Sequence, residues 1–381
     1  MQQWISKRQK LSNPGSFFQK KAISCENNRH TPAMNKKIKT LLQYLFFFCL
    51  GFFFVWLSVK NIHKEDWDQI KYALQHAKYY LGLPVFVILL AGHSIRGLRW
   101  RLLMEPLGYT PKKSNTFFAV MIGYMVNQGV PRLGEVLKCT VLAKYEKVPA
   151  DKLIGTIILE RLIDAVTLLI IFGITLAIQP GLYSQIVDKI FNSGANTEEK
   201  KVSGLLILLI GGAAIALAIG AWMLIKKKTI KDLRAIFKSI ATRVWQGLVS
   251  IQHLKKRGQF VILTILLWGS YFTGGYIGFQ ALEQTQQYGV KEAFTILSAG
   301  SIGMIISPGG IGGYAFLIGG TMMLYGLQQN IATAFGWLLW IVQTIVILIG
   351  GLASFALLPW INKKREPVSH PNESMAGIDG R

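Results

Sequence analysis

The sequence predicts an all-α polytopic membrane protein of about six full spans and two oppositely oriented re-entrant hairpins, about eight hydrophobic segments arranged as an inverted-topology repeat. Three observations predict it. The chain of 381 residues is 51% hydrophobic and only 16% charged, where a soluble chain carries about a quarter of its residues charged. Several apolar stretches are long enough to cross hydrocarbon, which takes about 20 residues at about 1.5 Å each. Two further apolar regions are each interrupted by a Pro-Gly cluster. Secreted and cytosolic soluble classes are excluded by this composition.

In chain order, residues 1–33 are polar and basic with no apolar run, so they make neither a cleavable signal peptide nor a span and read as a disordered tail. Met34 opens MNKKIKTLLQYLFFF and would serve as a start, which leaves open whether residues 1–33 are translated. A membrane domain follows over residues 41–360, then a polar tail over 361–381. The expected spans are Leu41–Val59, Leu81–Met104, Leu153–Ile178, Gly204–Ile225, Phe260–Leu282 and Ile331–Leu358. The broken regions lie at Asn115–Leu142 and Glu292–Leu327, where NQGVPRLGE (Asn127 to Glu135) and ISPGGIGGY (Ile306 to Tyr314) read as turns between short helices.

Loop charge sets the orientation. The formal net charge is +23, and the excess sits between apolar runs, where it orients a protein in a bilayer and attracts anionic lipid rather than nucleic acid. Residues 1–40 hold nine Lys/Arg and one acid, residues 226–258 hold ten and one, and Lys363, Lys364 and Arg365 flank the last span. Both termini are therefore expected in the cytoplasm of a cell with an inner membrane. The loops 60–79, 179–202 and 283–292 are near neutral and belong outside. Two spans return the chain to the cytoplasm at Lys112 and Lys113, and the third also leaves from there, at Lys144, Lys147 and Lys152. The region between them makes no net crossing and is expected to be a hairpin dipping in from the cytoplasm. The same parity makes residues 292–327 a hairpin from the opposite face, so segments 81–178 and 260–358 form the inverted repeat, an architecture that places a substrate site at the midplane. The alternative is that both broken regions cross fully as closely packed helices.

Irregular backbone inside a membrane is tolerated where protein buries it or water reaches it. The turns holding Gly309, Gly310 and Gly312, with Ser307 beside them, and Gly129 to Gly134, with Asn127, Arg132 and Glu135 around them, are therefore expected to line a cavity. Their half-helix N-termini would present N–H groups to a phosphate. Close helix packing is the competing explanation for the glycines.

Charges within the spans cost a few kcal/mol each at the bilayer centre. Thr156, Glu160, Asp164 and Thr167 form one polar stripe on the third span, and Arg161 stands three residues from Asp164, close enough to pair with it. That pair could lock helices together or contact substrate. In the second span Arg99 and Arg101 can snorkel to the cytoplasmic interface beside Trp100, which is the reading for Arg101, while Arg96 shares a face with Arg99 from which the two could reach anionic lipid or the first hairpin. His93, one turn before Arg96, could relay a proton or be a satisfied polar group.

The runs RGLRWRLLMEPLG, NQGVPRLGEVLKCTVLAKYEK, LERLIDAV and SPGGIGG, in that order, resemble the flippase-like membrane domain attached to lysylphosphatidylglycerol synthases and found alone in many bacteria and archaea. The resemblance covers about residues 40–360. It implies a domain that moves an aminoacylated lipid across the bilayer, while a separate soluble acyltransferase-like domain does the chemistry. Two departures matter. No soluble domain is expected here, since the longest loop has about 33 residues, so the synthase chemistry should be absent. The family tends to place a Glu shortly after the PGGIG turn, where this chain has Tyr314, Ala315 and Phe316, which leaves Glu135 as the candidate carboxylate.

No HExxH, P-loop lysine, GxSxG or CxxC pair occurs, and Cys25, Cys49 and Cys139 have no metal spacing. No cofactor or metal is expected. The leading expectation is a translocator of an anionic phospholipid or lipid-linked intermediate, with Arg96, Arg99, Arg132 and Arg161 offering charge and Glu160 and Asp164 orienting them or carrying protons. An ion- or proton-coupled transporter of a small anion and an integral-membrane lipid-modifying transferase are the alternatives. Headgroup, direction, energy source and oligomeric state are open.

Overall fold

The computed structural model of this chain describes residues 36–60, 62–130, 132–179, 181, 242 and 254–363. The expected span Gly204–Ile225 and the residues 1–35 and 364–381 lie outside them. Residues 47–381 form one unit, separate from 1–46, and the packing below is that of the larger unit.

The described residues are helical throughout, with no strand. In order they are α1 (Lys36–Val59), α2 (Lys64–Gln75), α3 (Gly82–Met104), α4 (Lys113–Gly129), α5 (Leu133–Glu146), α6 (Ala150–Ile178), α7 (Arg257–Phe279), α8 (Val290–Ile306), α9 (Gly313–Leu324) and α10 (Gln329–Asn362). Among the described residues four helical segments, Tyr79–Leu107, α6, α7 and α10, are long and apolar enough to cross a membrane, and Phe48–Val59 and α9 are shorter apolar helices. Large apolar side chains such as Ile158, Leu169, Ile265 and Phe355 point outward on the long helices and are more than half exposed. That is the surface a bilayer covers, since in hydrocarbon only the backbone must be internally satisfied.

One expected loop is structured. Residues 60–79 contain α2, whose His63 N–H donates to Asp66 Oδ2 at 2.8 Å. Its inner face buries Ile70 and Ala73. Asn330 Nδ2 at the start of α10 donates to Gln69 Oε1 at 2.7 Å. Near neutrality marked this stretch as non-spanning, but its 3.6-residue amphipathic period is a helix signal.

Both broken regions are helical hairpins. α4 and α5 pack on each other where Gly123 meets Gly134. A Cβ at Gly134 would collide with the Gly123 carbonyl oxygen and lie 2.7 Å from Asn127 Oδ1, so the crossing is as close as backbone allows. Asn115 near the start of α4 donates to Glu146 at the end of α5 at 2.5 Å and to Asn362 at 3.0 Å. The first hairpin thus begins and ends together, at the end of the bundle where Lys256 Nζ donates to Glu105 Oε1 at 3.0 Å. The second pair, α8 and α9, also closes on itself. Tyr288 Oη donates to the Tyr325 carbonyl at 3.3 Å, and Thr295 and Tyr325 hydroxyls are 2.7 Å apart. This closure sits at the other end of the bundle, where Lys78 N–H donates to the Ala281 carbonyl at 2.8 Å.

The core follows from these pairings. α3 packs on α7, and α9 on α10. Phe279 and Phe335 stack with centroids 5.4 Å apart. A second cluster holds Trp100, Met104, Leu142 and Leu153 around the foot of the first hairpin.

Candidate functional site

α3 carries Arg96 and Arg99, α5 carries Lys138, and α6 carries Glu160 and Asp164. One helical turn separates the members of each pair, so they stack on one face of their helix. Arg96 Nη1 donates to Asp164 Oδ2 at 2.7 Å and to Glu160 Oε1 at 3.0 Å. Arg99 Nη2 donates to Asp164 Oδ1 at 2.5 Å and lies 3.5 Å from Glu160 Oε1. Lys138 Nζ donates to Glu160 Oε2 at 3.2 Å. Arg99 and Glu160 are fully buried. Three cations thus face two carboxylates, leaving one positive charge in excess in a largely buried cluster, where electrostatic interactions are stronger than in water.

Aromatic rings enclose the cluster. The Lys138 ammonium lies 4.5 Å from the Trp100 ring centroid, and the Arg96 guanidinium 5.7 Å from that of Tyr124. Trp100 Nε1 donates to Thr156 Oγ1 at 2.8 Å, so the polar stripe on α6 is satisfied from α3 along its length. Thr156 and Thr167 also turn back onto their own helix, donating to the Leu153 carbonyl at 2.7 Å and the Ile163 carbonyl at 2.8 Å.

The expected Arg161–Asp164 pairing does not form. Arg161 Nε donates instead to Glu135 Oε1 at 3.0 Å, while the two Asp164 oxygens accept from Arg96 and Arg99 of α3. The Arg161–Glu135 pair is over a third exposed.

Beside the cluster is a cavity of about 540 Å³. Arg96, Asn127, Arg132, Glu135, Arg161 and Asp164 line its polar end. Val85, Leu89, Ile296, Leu339, Val342 and Ile347 line an apolar stretch, and Ala77, Lys78, Tyr79 and Leu81 stand at the α2 end. Ser307 and Gly309 of the second hairpin also reach it. The two breaks meet here: a Cβ on Gly309 would lie 3.0 Å from Gln128 Cα.

The remaining expected residues lie elsewhere. Arg99 and Glu160 are behind the wall, holding Arg96 and Asp164. Gly310 packs under Trp340 and Met304, and Gly312 against the backbone of Val55 and Gly51 in α1. Both glycines have positive φ, 75° and 70°, which explains their identity by backbone conformation. The N–H that opens α5 is already taken, since Gly134 N–H donates to Asn127 Oδ1 at 2.8 Å. Arg132 adopts φ 66°, uncommon for a residue with a Cβ. Lys138 was missed in the sequence, although its spacing of three from Glu135 puts both on neighbouring turns of α5.

Among the described residues no group of three or more His, Cys, Asp or Glu side chains could hold a metal. A family model described as "Lysylphosphatidylglycerol synthase TM region" matches residues 41–351. The chain is also 28% identical over 82 residues to the "UPF0104 membrane protein MJ1595" of Methanocaldococcus jannaschii, a stretch covering 21% of this chain and 24% of that protein. No solved structure matches.

Proposed function

This chain belongs to the family of the lysylphosphatidylglycerol synthase TM region, and from that premise we propose that it is a flippase-like translocator of an anionic lipid or lipid-linked intermediate. One observation carries the reading: Arg96 and Asp164, held by a cation-rich buried cluster behind them, line a cavity together with Arg132, Arg161 and a largely apolar stretch. A phosphate-bearing headgroup meets Arg96, Arg132 and Arg161 at the polar end, while Val85, Leu89 and Ile296 accept acyl chain. A small soluble anion would leave the apolar wall without a role.

The two helical hairpins are read as re-entrant and oppositely oriented, forming halves of an inverted repeat. Closure of each hairpin on its own end of the bundle supports this, and contact between Gln128 and Gly309 puts the paired breaks at the cavity, as such repeats do. The protein sits in the inner membrane with both termini in the cytoplasm, and its role is transport rather than catalysis. The test is reconstitution into phosphatidylcholine liposomes containing fluorescent phosphatidylglycerol, with a membrane-impermeant reductant quenching the outer leaflet. Active protein exposes the inner-leaflet probe to quenching. Quenching that stops at the protein-free level overturns the reading.

A further inference from the structure

Half of the ten buried, unpartnered side-chain atoms among the described residues belong to residues that line the cavity. They are both ring nitrogens of His93, Nε of Arg96, Nε1 of Trp268 and Oε1 of Gln128, and all four residues line the cavity. His93, Arg96 and Trp268 are 3%, 5% and 8% exposed. Leaving a buried polar atom without a hydrogen-bond partner is costly, and native structures hold few such groups. Four such residues around one cavity mark a surface completed by something else.

Packing fixes where these groups stand. His93 lies on α3 one turn before Arg96, with ring centroids 5.2 Å from Tyr124 and 6.4 Å from Tyr271. Trp268, one turn before Tyr271 on α7, meets it edge-on at 6.2 Å. Gln128 is on α4, one turn beyond Tyr124, and its amide is beside Gly309. The carboxylates Glu160 and Asp164 engage the Nη1 atom of Arg96, so its Nε edge is separate from the salt-bridged cluster.

We propose that His93, Trp268 and the Nε edge of Arg96 form a donor subsite for one phosphate oxygen, and that Gln128 Oε1 accepts a hydrogen from a hydroxyl or ammonium of the same headgroup. The proposal rests on the translocator reading and assigns its headgroup contacts. The ligand class is a phosphate ester that also carries a hydrogen-bond donor. Imidazole and indole donors beside Arg96 suit transport because they hold the anion without the full attraction of another arginine, so release stays feasible.

The experiment uses the purified full chain in neutral detergent, with binding of dihexanoyl phosphatidylglycerol and of inorganic phosphate measured by thermophoresis. His93→Phe keeps a ring between the two tyrosines and removes both nitrogens; Trp268→Phe removes the indole N–H. Each should weaken binding about tenfold, one hydrogen bond's worth, and His93→Gln, which restores a donor, should return to within about threefold of wild type. Binding of the lipid alone identifies a lipid headgroup, and equal competition by phosphate identifies a free anion; both support the subsite. Unchanged affinity in both His93→Phe and Trp268→Phe, or wild type that binds neither probe, overturns it. Size-exclusion profiles establish folding, and Trp268→Phe decides the matter if His93→Phe aggregates. Binding loss in these variants without wild-type lipid movement would remove the translocator reading and leave the subsite standing; lipid movement with unchanged binding would do the reverse.

Discussion

Glu160 accepts from three cations on two other helices, and its removal leaves those charges with one carboxylate. Glu160→Gln should cost about 3–5 kcal/mol, the range for breaking a buried ion pair from one side, read as a lowered melting temperature in detergent. Adding Lys138→Met should restore part of the loss, since the charge excess shrinks; a single variant melting like wild type would show that the cluster does not hold the bundle. Arg161 behaves differently because its pair with Glu135 is over a third exposed, and such pairs contribute about 0–1 kcal/mol. Arg161→Met should therefore keep its melting temperature within a few degrees and lose most lipid movement in the liposome assay. Normal transport would remove Arg161 from the site. The charged residues themselves were legible, because charge inside an apolar run stands out. Their partners were not. Arg96 and Asp164 are 68 residues apart, and no local period reports which faces of two helices meet.

At the scale of the element, the first hairpin depends on Gly134 lying against Gly123. Gly134→Ala inserts a methyl into the Gly123 carbonyl and the Asn127 amide, so it should abolish recovery of monodisperse protein. Gly129→Ala meets nothing within 4 Å and should be recovered at the wild-type level. Equal yields would show that the hairpin does not cross this closely. Gly350 is an intermediate case, since the atom in its way is the mobile Cε of Met121. The Pro-Gly clusters announced both breaks in the sequence, and the helices stop where they predict. The sequence did not separate a glycine that lines the cavity, Gly309, from Gly310 and Gly312, which are buried against Trp340 and α1. All three have positive φ, so backbone need and site geometry write the same letter. The helix α2 was legible in principle, but a charge count over its loop averages away its amphipathic period.

At the scale of the whole molecule, hydrogen bonds sort the loops onto two ends. Glu105, Glu146, Lys256 and Asn362 belong to one, and Lys78, Ala281, Tyr288 and Tyr325 to the other. In a cysteine-free background, Gln287→Cys should label with an impermeant maleimide in intact cells and Lys113→Cys only after lysis. The reverse pattern would invert the orientation; labelling of both in intact cells would break the parity argument. Span length and lysine placement predict a division of the loops between two ends, because both are one-dimensional properties. The cavity was not so legible, since its wall draws on α3, α4, α6, α7, α8 and α10 at once.

The sharing of Arg96 and Arg99 with Glu160 and Asp164 also imposes an order of assembly. α3 leaves the ribosome about 60 residues ahead of its counter-charges, a delay of roughly 3–12 s at about 5–20 residues per second. For that interval two guanidinium groups occupy a nascent span with no carboxylate from α6 to meet them, and their cost in lipid favours holding α3 at the insertion machinery until α6 arrives. The pairing seen in the mature bundle therefore forms only after α6 is made, and a chain truncated before Glu160 would carry an arginine-bearing helix without its counter-charges.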